Sequence, residues 1–298
     1  MNLTVSTIGQ GLLWSILGIA LFLTFRILNF PDMTVEGTFP LGAATAVSLI
    51  THGVDPFIAS LAAFVTGMLA GAITAFLYTK GRIPILLAGI LVMTACLSVN
   101  LRIMGSANIS LIGRQTIFSS LSQMPRYFDV ITVGLVSVTI VTLLLIYFLQ
   151  SDLGQAFIVT GDNPTMARSI GINTDRMTIL GLMVSNGLVA LGGAVIAQNN
   201  GYADINMGIG IIVVALASII IGEVVFGNLT MNQRLVAITL GSIIYRFVLL
   251  IVLQLGFSTN DLNLLSSILL AICLMLPRLS HLLHFDNLIK RGVSNSHD

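Results

Sequence analysis

Apolar residues run along this chain in long continuous stretches, separated by short polar intervals. The stretches do not alternate with the period of two that a membrane β-barrel shows, so they predict helices. A bilayer core of about 30 Å takes about 20 apolar residues as helix. Nine stretches suit that length: 7–28, 36–51, 57–79, 84–103, 129–149, 177–198, 209–226, 234–255 and 262–280. The second and seventh are short, as in helices that are re-entrant or broken around a cavity. A tenth short helix has room between 104 and 128. The fold class expected is all-α: a polytopic membrane helical bundle of about nine (8–10) spans with a short helix on one side.

Composition supports this. Of 298 residues, 56% are hydrophobic and 8% charged, against roughly a quarter charged in soluble domains. That excludes a soluble globular enzyme and a disordered chain. Acids number 12 and bases 13, so no basic excess invites nucleic acid. Cys96 and Cys273 both lie in apolar runs and read as small hydrophobes. His281 and His284 stand three apart after the last run, too few ligands for a closed metal site; no metal site is expected. The first apolar stretch has no Lys or Arg before it and reads as a span, not a cleaved leader.

Lys and Arg set the expected orientation. Nine crossings place the termini on opposite sides. One choice puts Arg26, Lys80, Arg82, Arg168, Arg176, Arg234, Arg278, Lys290 and Arg291 inside, with Arg102, Arg114 and Arg126 outside and Arg246 within a span. This bias predicts an external N-terminus and a cytoplasmic C-terminus. The chain reads as one transmembrane domain over 1–298, with a cytoplasmic loop at 151–176 and a cytoplasmic tail at 281–298. Gly67, Gly71 and Ala75 recur four apart, a small-residue face for close helix packing inside the chain.

Two polar segments carry information. Arg26 to Gly42 packs Asn29, Asp32, Thr34, Glu36 and Thr38 around Pro31, Gly37 and Pro40. It is read either as an interfacial loop or as an interrupted helix entering a transport cavity; the density of polar groups favours the second. Ser151 to Arg176 is the longest polar interval in the apolar array. Asn163 as N-cap, Pro164 in the first turn and Gly171 past the end predict a helix of fewer than two turns. So short a helix needs a surface to dock on. Met166 and Ile170 share its apolar face, with Arg168 beside them and Gly161 and Gly171 as bending points.

The order G-x-N-P-x-x-A-R-x-x-G-I-N-x-x-R, from Gly161 to Arg176, resembles the cytoplasmic coupling loop of ABC importer permeases of the branched-chain amino acid and ribose group. Leu191-Gly192-Gly193-Ala194 and the short span before Gly222 resemble the same group. Asn29 to Ala43 resembles a narrower branch, some of whose members are linked to aromatic amino acids such as tryptophan. The resemblance implies ATPase coupling through Asn163, Pro164, Met166, Arg168, Ile170 and Gly171. It implies a second permease chain, two cytoplasmic ATPase subunits and an external solute-binding protein or lipoprotein as partners, in a cell membrane. ATP and Mg would be bound by the ATPase, with no cofactor on this chain.

The residues fit that division of labour. The only lysines, Lys80 and Lys290, do not follow a glycine, so no Walker A loop is present. No catalytic constellation is visible, so no enzyme activity is expected of this chain. The translocation-pathway candidates are the polar residues in or near spans: Asn29, Asp32, Thr34, Glu36, Asn100, Arg102, Asn186, Glu223 and Arg246. Arg246 is expected to find Glu223, as a helix brace or as a gate or solute contact. Gln198 lies in the sixth span, and Tyr202, Asp204 and Asn206 in an outer loop that could meet a binding protein. The expected function is an importer permease subunit for a small solute, an amino acid and in some relatives an aromatic one, with an ion-coupled secondary transporter as the alternative; the near-absence of other intramembrane acids counts against the alternative.

Overall fold

The computed structural model describes residues 2–121, 128–227, 229–256 and 261–282. The tail from 283 onward, with Lys290 and Arg291, and residue Arg126 lie outside the described residues.

Helices form where the apolar runs predict them. The first four are α1 (Asn2–Leu21, continued by a π-helical stretch Phe22–Ile27), α2 (Val35–Thr51), α3 (Pro56–Thr79) and α4 (Ile85–Met104). Next come α5 (Phe128–Gln150) and two short helices, α6 (Asp152–Asp162) and α7 (Pro164–Ser169). The chain continues with α8 (Thr174–Asn200), α9 (Ile211–Phe226), α10 (Met231–Gln254) and α11 (Leu262–Leu282). Among the described residues, six stretches are long and apolar enough to cross a membrane: Leu3–Ile27, Pro56–Thr79, Ile85–Met104, Phe128–Gln150, Thr174–Asn200 and Met231–Gln254. The short second and seventh runs become α2, of 17 residues, and α9, of 16, about 25 Å each at 1.5 Å per residue and so short of the bilayer core.

Three features depart from the expected pattern. The polar interval 151–176 contains two helices, α6 and α7, rather than one. Among the described residues of the interval 104–128, a 3-10 turn, Ile117–Leu121, stands where a tenth short helix is expected. The fold is not purely α: β1 (Asn108–Ser110) and β2 (Tyr202–Asp204) pair antiparallel, Ile109 opposite Ala203.

That small ribbon fixes sidedness. β1 follows the end of α4 and β2 the end of α8, so both helices finish on one face. The opposite face carries α6, α7 and the break between α1 and α2. α1 and α8 form the centre, with 78% and 72% of their apolar windows buried, while α4 and α5, at 28%, are peripheral and turn large apolar side chains outward as a lipid-facing helix must.

Glycine sets the closest approaches. A Cβ on Gly67 would strike the Asn186 carbonyl and one on Gly71 the Leu182 carbonyl, so the small-residue face of α3 lies directly on α8. Gly11 packs against the Ile243 Cα and Gly18 against Ile238, which lays α1 antiparallel along α10. Gly18 also faces Ala215 and Ser218 of α9. Those contacts put the second turn of α9 beside the last third of α1.

Candidate functional site

The break between α1 and α2 is tied at each residue that interrupts the helix. Asn29 has φ 57°, a left-handed conformation that Asn tolerates better than most residues. Asp32 is buried; its Oδ1 accepts from the Thr34 N–H at 2.9 Å and its Oδ2 from Asn186 Nδ2 at 2.7 Å. Asn186 also donates to the Leu182 carbonyl at 3.0 Å, and its Oδ1 accepts from the Thr38 hydroxyl at 2.9 Å. The Thr34 and Thr74 hydroxyls share a hydrogen bond at 2.9 Å. One buried network therefore joins the break to α3 and α8. A buried polar group is costly only when unpaired, and Asp32, Thr34 and Asn186 are paired.

Glu36 serves a neighbouring element. Its Oε1 accepts from the Gly210 N–H at 3.2 Å, placing a carboxylate at the N-terminus of α9, where the helix dipole favours it. Pro40 lacks the N–H that would otherwise bond the Glu36 carbonyl, and the backbone of Gly208 packs against that carbonyl.

The second polar segment docks onto the first. The Asn29 amide donates to the Gly161 carbonyl at 3.4 Å, and a Cβ at Gly161 would collide with the Ile27 carbonyl. Gly161 is thus a contact point and not the bending point expected of it. Gly171, with φ 88° and open space around it, does end α7 as a left-handed cap. Asn163 caps α7 as predicted, accepting from the Met166 N–H at 3.0 Å, with Pro164 in the first turn. Met166 and Ile170 are 56% and 60% exposed, which leaves the apolar face of this helix uncovered. Arg168 does not stand free beside it; its Nε donates to the Thr174 hydroxyl at 2.9 Å, bracing α7 on the start of α8.

Glu223 does not meet Arg246. It accepts from Arg26 Nε at 3.0 Å and lies 3.7 Å from Arg234 Nη1, both at the α6–α7 face. The antiparallel lie of α1 and α10 explains this: the ends of α1 and α9 and the start of α10 converge there, whereas Arg246 sits fifteen residues further along α10, about 22 Å away. Arg246 instead stacks on Trp14, its Cζ 4.1 Å from the ring centroid, and its Nε has no hydrogen-bond partner. Stacking of this kind contributes about 0.5–2 kcal/mol, against about 2.5–3.5 kcal/mol for an arginine at the centre of a span, so the ring alone does not offset the charge. Trp14 lies in turn 6.0 Å from Phe39.

The remaining candidates divide. Asn100 is fully buried on α4 and both polar atoms of its side chain lack a partner. Arg102 is exposed at the ribbon face. Gln198 is structural: it accepts from the Ile117 N–H at 3.1 Å and donates to the Ser60 hydroxyl at 2.8 Å. Asp204 caps the turn after β2 through the Asn206 N–H at 2.7 Å. Trp14, Thr38, Thr74 and the cations of Arg26 and Arg234 complete these arrangements, and nothing in the linear sequence marks their pairings. Among the described residues, no cluster of His, Cys, Asp and Glu could hold a metal. A cavity of about 450 Å³ between α3, α5 and α8 is lined by Phe57, Leu61, Ile117, Val136, Ile140 and Leu191 and offers a solute no charge.

Comparison with known proteins adds the following. The family described as branched-chain amino acid transport system / permease component matches residues 3–276. A tyrosine transport system permease protein of Clostridioides difficile is 40% identical over 268 residues, covering 90% of this chain and 89% of that one. An uncharacterized protein of Rickettsia prowazekii is 35% identical over 92% of this chain and 97% of its own. An autoinducer 2 import system permease of Yersinia enterocolitica is 27% identical over 65% of this chain and 53% of its own. Among solved structures, PsaBC from Streptococcus pneumoniae in complex with Fab superposes with TM-score 0.50 over 91% of this chain and 89% of that one, at 17% identity, a likeness of fold alone.

Proposed function

The chain belongs to the family of permease components of branched-chain amino acid transport systems, and from that premise we propose that it is the transmembrane subunit of an ABC importer for an aromatic amino acid. Two copies would enclose the pathway, two ATPase subunits would bind on the α6–α7 face, and an external binding protein would deliver solute at the ribbon face. Arg26, Lys80, Arg82, Arg168, Arg176 and Arg234 gather toward the α6–α7 face, and by the positive-inside rule this supports a cytoplasmic position for it. The amino-acid class rests on the tyrosine-transport relative.

The observation that carries the reading is α7: a helix of fewer than two turns, capped at both ends, braced from behind by Arg168 and Thr174, with Met166 and Ile170 uncovered. A partner surface completes such an element. The Asn29–Gly161 contact gives its motion a route, because moving α6–α7 pulls directly on the break at the end of α1. A secondary transporter has no use for an exposed coupling element, and the intramembrane acids it would need are engaged by Asn186, Gly210, Arg26 and Arg234.

The test is ATP hydrolysis by the reconstituted complex, challenged in turn with binding protein loaded with tyrosine, leucine or ribose. Stimulation by tyrosine supports the reading. Transport driven by an ion gradient without ATP would replace it with the secondary-transporter alternative.

A further inference from the structure

The acids of the α1–α2 break and of α9 are engaged away from Arg246. Asp32 is bonded to Asn186 and Thr34, Glu36 to the α9 N-terminus, and Glu223 to Arg26 and Arg234. No carboxylate among the described residues lies within 4.0 Å of the Arg246 guanidinium. The neighbouring Tyr245 turns the other way, donating to the Ser266 hydroxyl of α11 at 2.7 Å.

The seam that holds Arg246 is tight and shaped. One turn before it on α10, the Ser242 hydroxyl donates to the Gly11 carbonyl at 2.8 Å, and the Ile243 Cα occupies the space a Cβ of Gly11 would need. The side chain therefore leaves a backbone-to-backbone contact and lies against Trp14 at 4.1 Å. Stacking engages the flat face of a guanidinium and leaves its in-plane N–H donors directed past the ring edge. A guanidinium whose Nε is unpaired offers a planar fork that matches the two oxygens of a carboxylate. Arg246 stands about 12 Å from the outer end of α10 at Gln254, counted at 1.5 Å per residue over eight residues. That depth is below the level of lipid headgroups.

We propose that Arg246, held in plane by Trp14, receives the carboxylate of the transported solute on its way through the bundle, which makes the pathway selective for an amino acid over the corresponding amine or a neutral sugar. This rests on the importer reading above and adds the residue that recognises the solute.

Trp14 is the only tryptophan in the chain, so its emission reports this site directly. The full-length chain in phosphatidylcholine nanodiscs is excited at the red edge, where tyrosine does not absorb, and quenched with iodide or with neutral acrylamide. The proposal expects iodide, an anion, to quench wild type several-fold better than Arg246→Gln, with acrylamide equal in both. Tyrosine should protect against iodide saturably and tyramine should not. The half-protecting tyrosine concentration should rise about ten- to a hundredfold in Arg246→Gln, the loss of a charge-assisted pair. Arg246→Lys, which keeps the charge but not the fork, should fall between and guards against a misfolded first variant.

Equal protection by tyrosine and tyramine, or undiminished protection in both variants, would overturn the proposal. Protection by oleate alone would assign the charge to a lipid carboxylate and overturn it as well. The outcome is separable from that of the importer reading. A complex whose ATP hydrolysis responds to tyrosine, with protection unchanged in Arg246→Gln, keeps the importer and removes this role for Arg246.

Discussion

Asn186, midway along α8, donates to Asp32 Oδ2 at 2.7 Å although 154 residues separate them. The bond closes a buried network that also takes in Thr34, Thr38 and Thr74. Through it the polar residues of the α1–α2 break hold an irregular backbone inside an apolar bundle, where each unpaired polar group is expensive.

Asn186→Leu should therefore act on stability first. It removes the donor and leaves a buried carboxylate with one remaining partner, which costs about 2–4 kcal/mol. Thermal unfolding of the purified chain in detergent should show a clear drop in midpoint. The double variant Asn186→Leu/Asp32→Leu should recover part of it, because the stranded charge is gone. A variant that melts like wild type but fails to transport would move Asp32 and Asn186 from the frame into the pathway.

Much of this architecture is legible in the sequence, and for physical reasons. Long apolar runs specify helices because nothing else satisfies the backbone in lipid. The α7 caps are local chemistry, so Asn163, Pro164 and Gly171 declare themselves. Pairings between distant helices are not local. Glu223 finds Arg26 and Arg234 because three helix ends converge, and Arg246 finds Trp14 because Gly11 admits α10 closely; the linear order encodes neither. The helix α6 is hidden because polar residues in the loop mask its periodicity: of its side chains only Phe157 is a large buried apolar group. The ribbon strands, three residues each, are too short for any alternation to show.

Gly161 provides a second test. A methyl group there meets the Ile27 carbonyl, so Gly161→Ala has to push the α6–α7 unit off the break in α1. The expected result is a complex that still assembles, since Met166 and Ile170 remain exposed, but whose ATP hydrolysis no longer responds to solute. Asn29→Gly should be far milder, because Gly adopts φ 57° freely and only a 3.4 Å hydrogen bond is lost. Equal loss in both variants would show that the hydrogen bond, and not the close approach, transmits the motion.

Asn100 separates structure from passage. Its amide is buried with neither polar atom paired, so a side chain of similar volume without that polarity relieves a desolvation penalty of about 1–3 kcal/mol. Asn100→Leu should hold or raise the melting midpoint. If uptake also stays at wild-type level, α4 takes no part in handling solute. A stable variant with lost uptake would place this amide on the pathway.

The last prediction concerns the exposed face of α7. Met166 and Ile170 lie on the uncovered side of a helix that Arg168 and Thr174 hold from behind. Met166→Asp puts a charge into the contact that an ATPase groove would make, while the helix, capped by Asn163 and docked through α8, keeps its shape. The expected outcome is loss of ATPase co-purification with no change in the melting midpoint of the permease itself. Arg168→Ala acts differently: it releases the brace to Thr174 and loosens α7, so the ATPase should remain bound while solute loses its hold on ATP turnover. The two variants thus part binding from transmission. Co-purification and solute-stimulated hydrolysis, measured on both, decide the matter. Wild-type values for Met166→Asp in the two assays would remove α7 as the coupling element and leave the importer reading without its mechanical link.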